Sequence, residues 1–167
     1  MALVFRALDP KDYGKASRFA VVGMHFDRYT ENKTELALYG KYFLCLELAR
    51  ATQVIAAYED RELAGLLLAA VEGAPAHGLS LWRRLYVRLV ALVMKLGFKD
   101  GNARYDEANR EMLARWRQEN RTDGELCFLV TDPRAQGRGV GTLLVLELER
   151  REPGKTFYLF TDSNCIW

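Results

Sequence analysis

The spacing of apolar and polar positions changes along the chain, and each change marks an element. Residues 3–8, LVFRAL, read as a short strand, after which the Asp9-Pro10 pair sets up a helix running to about Met24, with Asp9 as its cap and Pro10 in its first turn. After the polar stretch DRYTENKTE, residues 34–51 form a second helix that is apolar on most sides through Leu36, Leu38, Tyr39, Tyr42, Phe43, Cys45 and Leu46. Such a helix is buried or lines a groove. TQVIAAYE and ELAGLLLAAV read as two strands joined in a hairpin by Asp60-Arg61. Between about 72 and 123 lies a helical insertion: a loop, a helix at about Leu81 to Leu96, and another at about Tyr105 to Gln118. In GELCFLVTD the period returns to two, with Glu125, Cys127, Leu129 and Thr131 on one face and Leu126, Phe128 and Val130 on the other. A glycine-rich loop follows, then a helix from about Val140 to Arg151, the break Pro153-Gly154, and a last strand in TFYLFTD. This order predicts an α/β fold with a mixed, mostly antiparallel sheet flanked by helices, in which residues 124–151 lead to a neighbouring parallel strand.

The length of 167 residues fits a single domain spanning 1–167, and an apolar fraction of 50% is enough for a substantial core. A net charge of +2 argues against a general nucleic-acid binder. The apolar stretch at residues 85–98 is too short to span a membrane and is interrupted by Arg88 and Lys95, so no membrane association is expected. The start, MALVFRALDP, lacks the pattern of a secretory signal, and cytoplasmic residence is the simplest expectation. Cys45, Cys127 and Cys165 show no CxxC spacing, and His25 and His77 are isolated; no metal site is expected.

The sharpest local signal is Gln136-Gly137-Arg138-Gly139-Val140-Gly141, set between a strand and a helix. A Walker loop requires a lysine after its last glycine, and Gly141 is followed by Thr142. A dinucleotide GxGxxG would need glycine at 142 or 144, where Thr142 and Leu144 stand. A bare backbone at the positive end of a helix still suits an anion. The Q-x-x-G-x-G arrangement, together with the order of elements over nearly the whole chain, resembles the pyrophosphate loop and fold of the GNAT family of N-acetyltransferases.

That resemblance implies acetyl-CoA as cofactor, a small-molecule or peptide amine as acceptor, and backbone contacts from Gln136, Gly137, Arg138, Gly139, Val140 and Gly141 to the pyrophosphate. It further implies that Thr131 meets the pantetheine arm, and that the amide of Leu129, freed by a bulge, polarises the thioester carbonyl. Glu125, eleven residues before Gln136 and expected on the face of Leu129, matches the position of a catalytic glutamate; a strand-end glutamate in solvent is the equal alternative. Met24, Phe26, Tyr29, Tyr39 and Tyr42 fall in the segment that lines the acceptor pocket in that family. There the chain continues from an Asn, here Asn164, into a helix bearing a proton-donating tyrosine and then two strands, whereas this sequence stops at Trp167. A truncated C-terminus, an unassigned general acid and self-association of the apolar last strand into a homodimer are the resulting expectations. The competing functional reading is a non-catalytic acyl-CoA-binding or interaction module of the same fold.

Overall fold

A computed structural model of the chain describes residues 3–28, 30–76, 82, 85–90 and 101–161, with backbone alone at 101–106. Strand β1 is Leu3–Arg6; a 3-10 turn at Pro10–Asp12 leads into α1, Tyr13–Gly23. Asp9 caps that turn through its carboxylate, which accepts from the Lys11 amide at 3.1 Å, with Pro10 inside as the sequence predicts. The expected single helix is divided because the cap serves the 3-10 turn. Helix α2, Lys33–Arg50, is capped by Asn32, whose side chain accepts from the amides of Thr34 and Glu35. Strands β2, Gln53–Glu59, and β3, Glu62–Val71, meet at Asp60 and Arg61, both at positive φ (47° and 67°), the tight two-residue hairpin turn. Helix α3 is Gly101–Glu119, β4 is Gly124–Thr131, α4 is Val140–Arg151 and β5 is Phe157–Tyr158. Of the helix expected at 81–96, residues 85–90 are helical; the rest lies outside the described residues apart from Trp82. No described helix is long and apolar enough to cross a membrane.

The sheet has the order β1-β2-β3-β4-β5, antiparallel throughout except for the parallel pair β4–β5. Helices α1 and α2 cover one face, where Phe19, Leu44, Leu48, Leu66, Leu68, Phe128 and Val130 form one core. Helix α4 covers the other, and Ile55, Leu67, Val140, Leu144 and Leu148 form the second. A strand buried on both faces has no polar side, which explains why ELAGLLLAAV is almost continuously apolar.

Strand β4 departs from strict alternation. Leu68 of β3 pairs with Phe128 and Ala69 with Leu126, so Cys127 is an extra residue, a β-bulge. Cys127 packs with Phe128 against the α1–α2 side, while Leu126 packs with Leu129 on the α4 side. The faces read from the sequence are therefore exchanged before the bulge. Glu125 lies on the α2 side, not on the face of Leu129, and the bulge sits at Cys127 rather than at Leu129, which pairs in register with Leu67. The last strand is also shorter than expected: its pairing covers only Gly124↔Phe157 and Glu125↔Tyr158.

Candidate active site

Beyond those two pairs β4 and β5 part, and the space between them is a cavity of about 510 Å3. Its walls are Leu126 to Thr131 of β4, Pro133 and Gln136 of the following turn, Leu159 to Thr161 after β5, and Val22 to His25 at the end of α1. The hydrogen-bond phase of β4 decides what this wall offers. The amide of Asp132 donates to the carbonyl of Ala64 at 2.7 Å, so Ala64 and Asp132 form a bonded pair, as does every second pair back along the ladder. Leu66–Val130 and Leu68–Phe128 are bonded pairs; Leu67–Leu129 and Gly65–Thr131 are not. The N–H and C=O groups of Leu129 and Thr131 therefore point away from β3, toward the cavity. No bulge at Leu129 is required to expose its amide, because separation of the neighbouring strand suffices.

At one end of this wall the chain turns into α4. Gly137 and Gly139 have φ of 75° and 76°, a left-handed backbone that a side chain disfavours, and a Cβ at either position would meet nothing within 4 Å. Backbone conformation, rather than packing, calls for glycine there. Gly139 is the N-cap of α4 and supplies no capping side chain. The amides of Gly137, Gly139, Val140, Gly141 and Thr142 have no acceptor among the described residues. The side chain of Val140 is core, leaving its amide as its contribution to the loop. Arg138 reaches away to Glu59, at 2.5 Å. Asp132, at the end of β4, fixes the approach to the turn: its carboxylate accepts from the Arg134 amide at 3.0 Å, takes the Arg134 guanidinium and lies 3.3 Å from Lys15. The bonds from Arg134, followed by that from Lys15, outweigh burial and hold the carboxyl well below the ordinary range.

A second cavity of about 570 Å3 shares Met24, Leu126, Cys127 and Phe160 with the first. Glu47 and Arg50 of α2, Asn109, Arg110 and Leu113 of α3, and Glu125 of β4 complete most of its wall. Arg50 joins two carboxylates: its Nε donates to Glu47 Oε2 at 2.7 Å, and its Nη1 and Nη2 to Glu125 Oε2 and Oε1 at 2.6 and 2.8 Å. The Tyr158 hydroxyl donates to the same Glu125 carboxylate at 3.2 Å. Burial works against the Arg50 charge, but the bonds to Glu125 and Glu47 prevail and raise its pKa. Burial likewise raises Glu47, with Arg50 opposing, and pushes the Cys127 thiol up to about 12, which keeps it protonated. Burial and the charge of Glu125 push Tyr158 up to about 12.

The site residues expected from the sequence thus fall in two groups. Leu129, Thr131 and Gln136 line the first cavity beside the glycine loop, and Glu125 lines the second. Asn164, Tyr29 and His77 lie outside the described residues. Met24 lines both cavities, while Phe26 and Tyr39 stack edge-on and Phe26 packs on Phe43. Glu47 and Arg50 are absent from the sequence-based set. A signal for Glu47 was present: it shares the buried stripe of α2 with Gly40, Leu44 and Leu48, where an acid has no place as a solvated residue. Among the described residues no group of His, Cys, Asp and Glu could hold a metal ion.

No curated protein matches the sequence. Among solved structures, the chain is similar to a histone acetyltransferase HPA2 and related acetyltransferase from Corynebacterium glutamicum, with 16% identity, a TM-score of 0.58, and coverage of 95% of this chain and 76% of the other. A GNAT family acetyltransferase from Brucella melitensis, in complex with acetyl-CoA, aligns with 16% identity and a TM-score of 0.49 over 98% of this chain and 79% of its own. The model of the acetyltransferase (GNAT) family matches residues 21–164, more than half of the sequence, and on that match the chain belongs to the GNAT acetyltransferase family.

Proposed function

We propose that this chain transfers the acetyl group of acetyl-CoA to a primary amine of a small molecule or peptide. Acetyl-CoA is the acetyl donor of the family. The observation that carries the reading is the opening of β4 from β5 directly beside an α4 start whose amides lack acceptors among the described residues. The amides of Gly137, Gly139, Val140 and Gly141, with Gln136 and Arg138 beside them, would hold the pyrophosphate at the positive helix end. Thr131 would meet the pantetheine arm through its backbone, and the Leu129 amide, aimed into the cavity, would donate to the carbonyl oxygen as negative charge develops on it. The donor supplies an activated acetyl group; the second cavity receives the acceptor, and its Glu47–Arg50–Glu125 cluster handles the amine proton.

Calorimetric titration with acetyl-CoA and with S-acetylpantetheine separates the loop's contribution from that of the cleft. Charge-assisted hydrogen bonds contribute about 1.5–3 kcal/mol each, so removal of the pyrophosphate weakens binding by at least about tenfold. Equal affinities would remove the loop from the site. Release of CoA in the presence of primary amines then tests turnover, and binding without release with any amine would mark a non-catalytic module.

A further inference from the structure

We propose that Glu47 of α2 is the group that takes the proton from the acceptor amine, that the acceptor enters as an alkylammonium ion, and that Glu125 serves to position Arg50. This rests on the acetyl-transfer reading above and assigns the roles within its second cavity. The hydrogen bonds distinguish the two carboxylates. Both oxygens of Glu125 are occupied, by the two Nη atoms of Arg50 and by the Tyr158 hydroxyl. Glu47 accepts a single bond from Arg50 at Oε2, and its Oε1 has no partner among the described residues. Glu47 is only 6% exposed, yet no fully buried side-chain oxygen among the described residues lacks a partner, so Oε1 faces the cavity that Glu47 lines.

Charge around the cavity indicates which amine fits. Glu47 and Glu125 share the guanidinium of Arg50, a local formal charge of −1 in a cavity that Arg110 also lines, and an ammonium ion at Glu47 Oε1 meets that local excess. Phe43, Leu126 and Phe160 supply apolar wall for an attached chain. An arylamine, uncharged at neutral pH, would gain nothing from the excess carboxylate and would need no base. The transfer balances as follows. An N–H proton of the ammonium passes to Glu47 Oε1; the freed nitrogen pair forms the N–C bond to the acetyl carbon as the C–S bond breaks. The sulfur keeps that bonding pair and takes a second proton from nitrogen, and Glu47 returns its proton to water. The products are the N-alkylacetamide, CoA thiol and one proton.

Burial, opposed by Arg50, raises the Glu47 carboxyl toward the range where a base works at neutral pH. The groups facing it are Arg50 on its own helix, Glu125 and Cys127 on β4, and Arg110 across the cavity on α3. Cys127 stays protonated, so the two glutamates and two arginines set its charge environment.

The test is the pH dependence of CoA release from acetyl-CoA with phenethylamine, spermidine and a tripeptide with a free N-terminus, for the wild-type chain and for Glu47→Gln and Glu125→Gln. Glu47→Gln should lower kcat by about 10²–10⁴ and erase the acidic inflection of the profile while leaving acetyl-CoA affinity unchanged. Glu125→Gln should keep that inflection, displaced. Retention of rate and inflection in Glu47→Gln would overturn the assignment and leave the transfer reading intact; no release by the wild-type chain with any of the three amines would overturn both. A second readout uses the wild-type chain: with ¹³C-labelled glutamate carboxyls, phenethylamine added to the CoA-bound protein should move the Glu47 resonance first, and movement of Glu125 alone would reverse the roles.

Discussion

Glu47 and Asp132 are the buried carboxylates among the described residues, and their surroundings couple them to stability in opposite senses. Asp132 is held below its ordinary value of 3.8 by Arg134 and Lys15, so its contribution is present above that value and is lost as pH falls through its lower folded value. Glu47 is held above 4.5 by burial, so the native state is favoured while it carries a proton, below 4.5, and loses that advantage as pH rises through the folded value. Urea unfolding should therefore find Asp132→Ala less stable than wild type by about 1–2 kcal/mol at neutral pH, through the lost cap and charged bonds, with the gap narrowing in acid. Glu47→Gln should be more stable than wild type at neutral pH, with no such gain at pH about 4. A Glu47→Gln chain that gained nothing on raising the pH would mean that Arg50 offsets the burial of this carboxylate completely. At this scale the distance to Gln136 singled out Glu125, which lines the second cavity. Its partners were not legible, because Arg50 and Tyr158 reach it from α2 and β5, contacts with no signature in any one segment.

Among the elements, the turn into α4 was the most legible: its glycines and the following apolar stripe mark the boundary at Val140, where the helix begins. The β4 bulge was hidden, since an extra residue adds no composition signal and simply exchanges faces, which carried Glu125 to the opposite side. Within the turn, two glycines that look alike in sequence have different reasons to be glycine. At Gly139 the φ of 76° is the constraint, and Gly139→Ala should cost about 1–2 kcal/mol in stability and weaken acetyl-CoA binding. At Gly141 a Cβ would sit 3.7 Å from Thr131 Cγ2, an ordinary contact in the first turn of α4. Gly141→Ala should therefore fold with equal or greater stability, by up to about 1 kcal/mol, while losing affinity for acetyl-CoA through a methyl group set in the path of the pyrophosphate. Thermal melting and calorimetry on the pair give the comparison. Full affinity in the more stable Gly141→Ala chain would show that no ligand approaches that amide.

At the scale of the molecule, the cleft opens where β5 leaves β4, just beyond a close contact far from the loop. Gly124 pairs with Phe157, and a Cβ on Gly124 would lie 2.8 Å from the Phe157 ring and 2.6 Å from the Ala70 carbonyl of β3. The backbone of β3, the start of β4 and the first aromatic residue of β5 thus meet at a point with no room for a methyl group. From this joint the strands pair as far as Glu125 and Tyr158; beyond that pair they separate and the first cavity begins. The strand order predicted from the sequence places β5 beside β4, but the close contact at which their pairing begins joins three strands and has no signature in the apolar run TFYLF. Gly124→Ala must push either Phe157 or β3 aside, at a cost of about 1–3 kcal/mol. Displacement of Phe157 also carries Leu159 and Phe160, which line the cavity, and Tyr158, which holds Glu125. The expected result is a folded chain, destabilised in urea, whose affinity for acetyl-CoA falls although residue 124 lines neither cavity. Phe157→Leu in the same chain should restore part of both losses by making room at the joint, whereas additive losses in the double variant would show that the Phe157 ring is not what Gly124 accommodates.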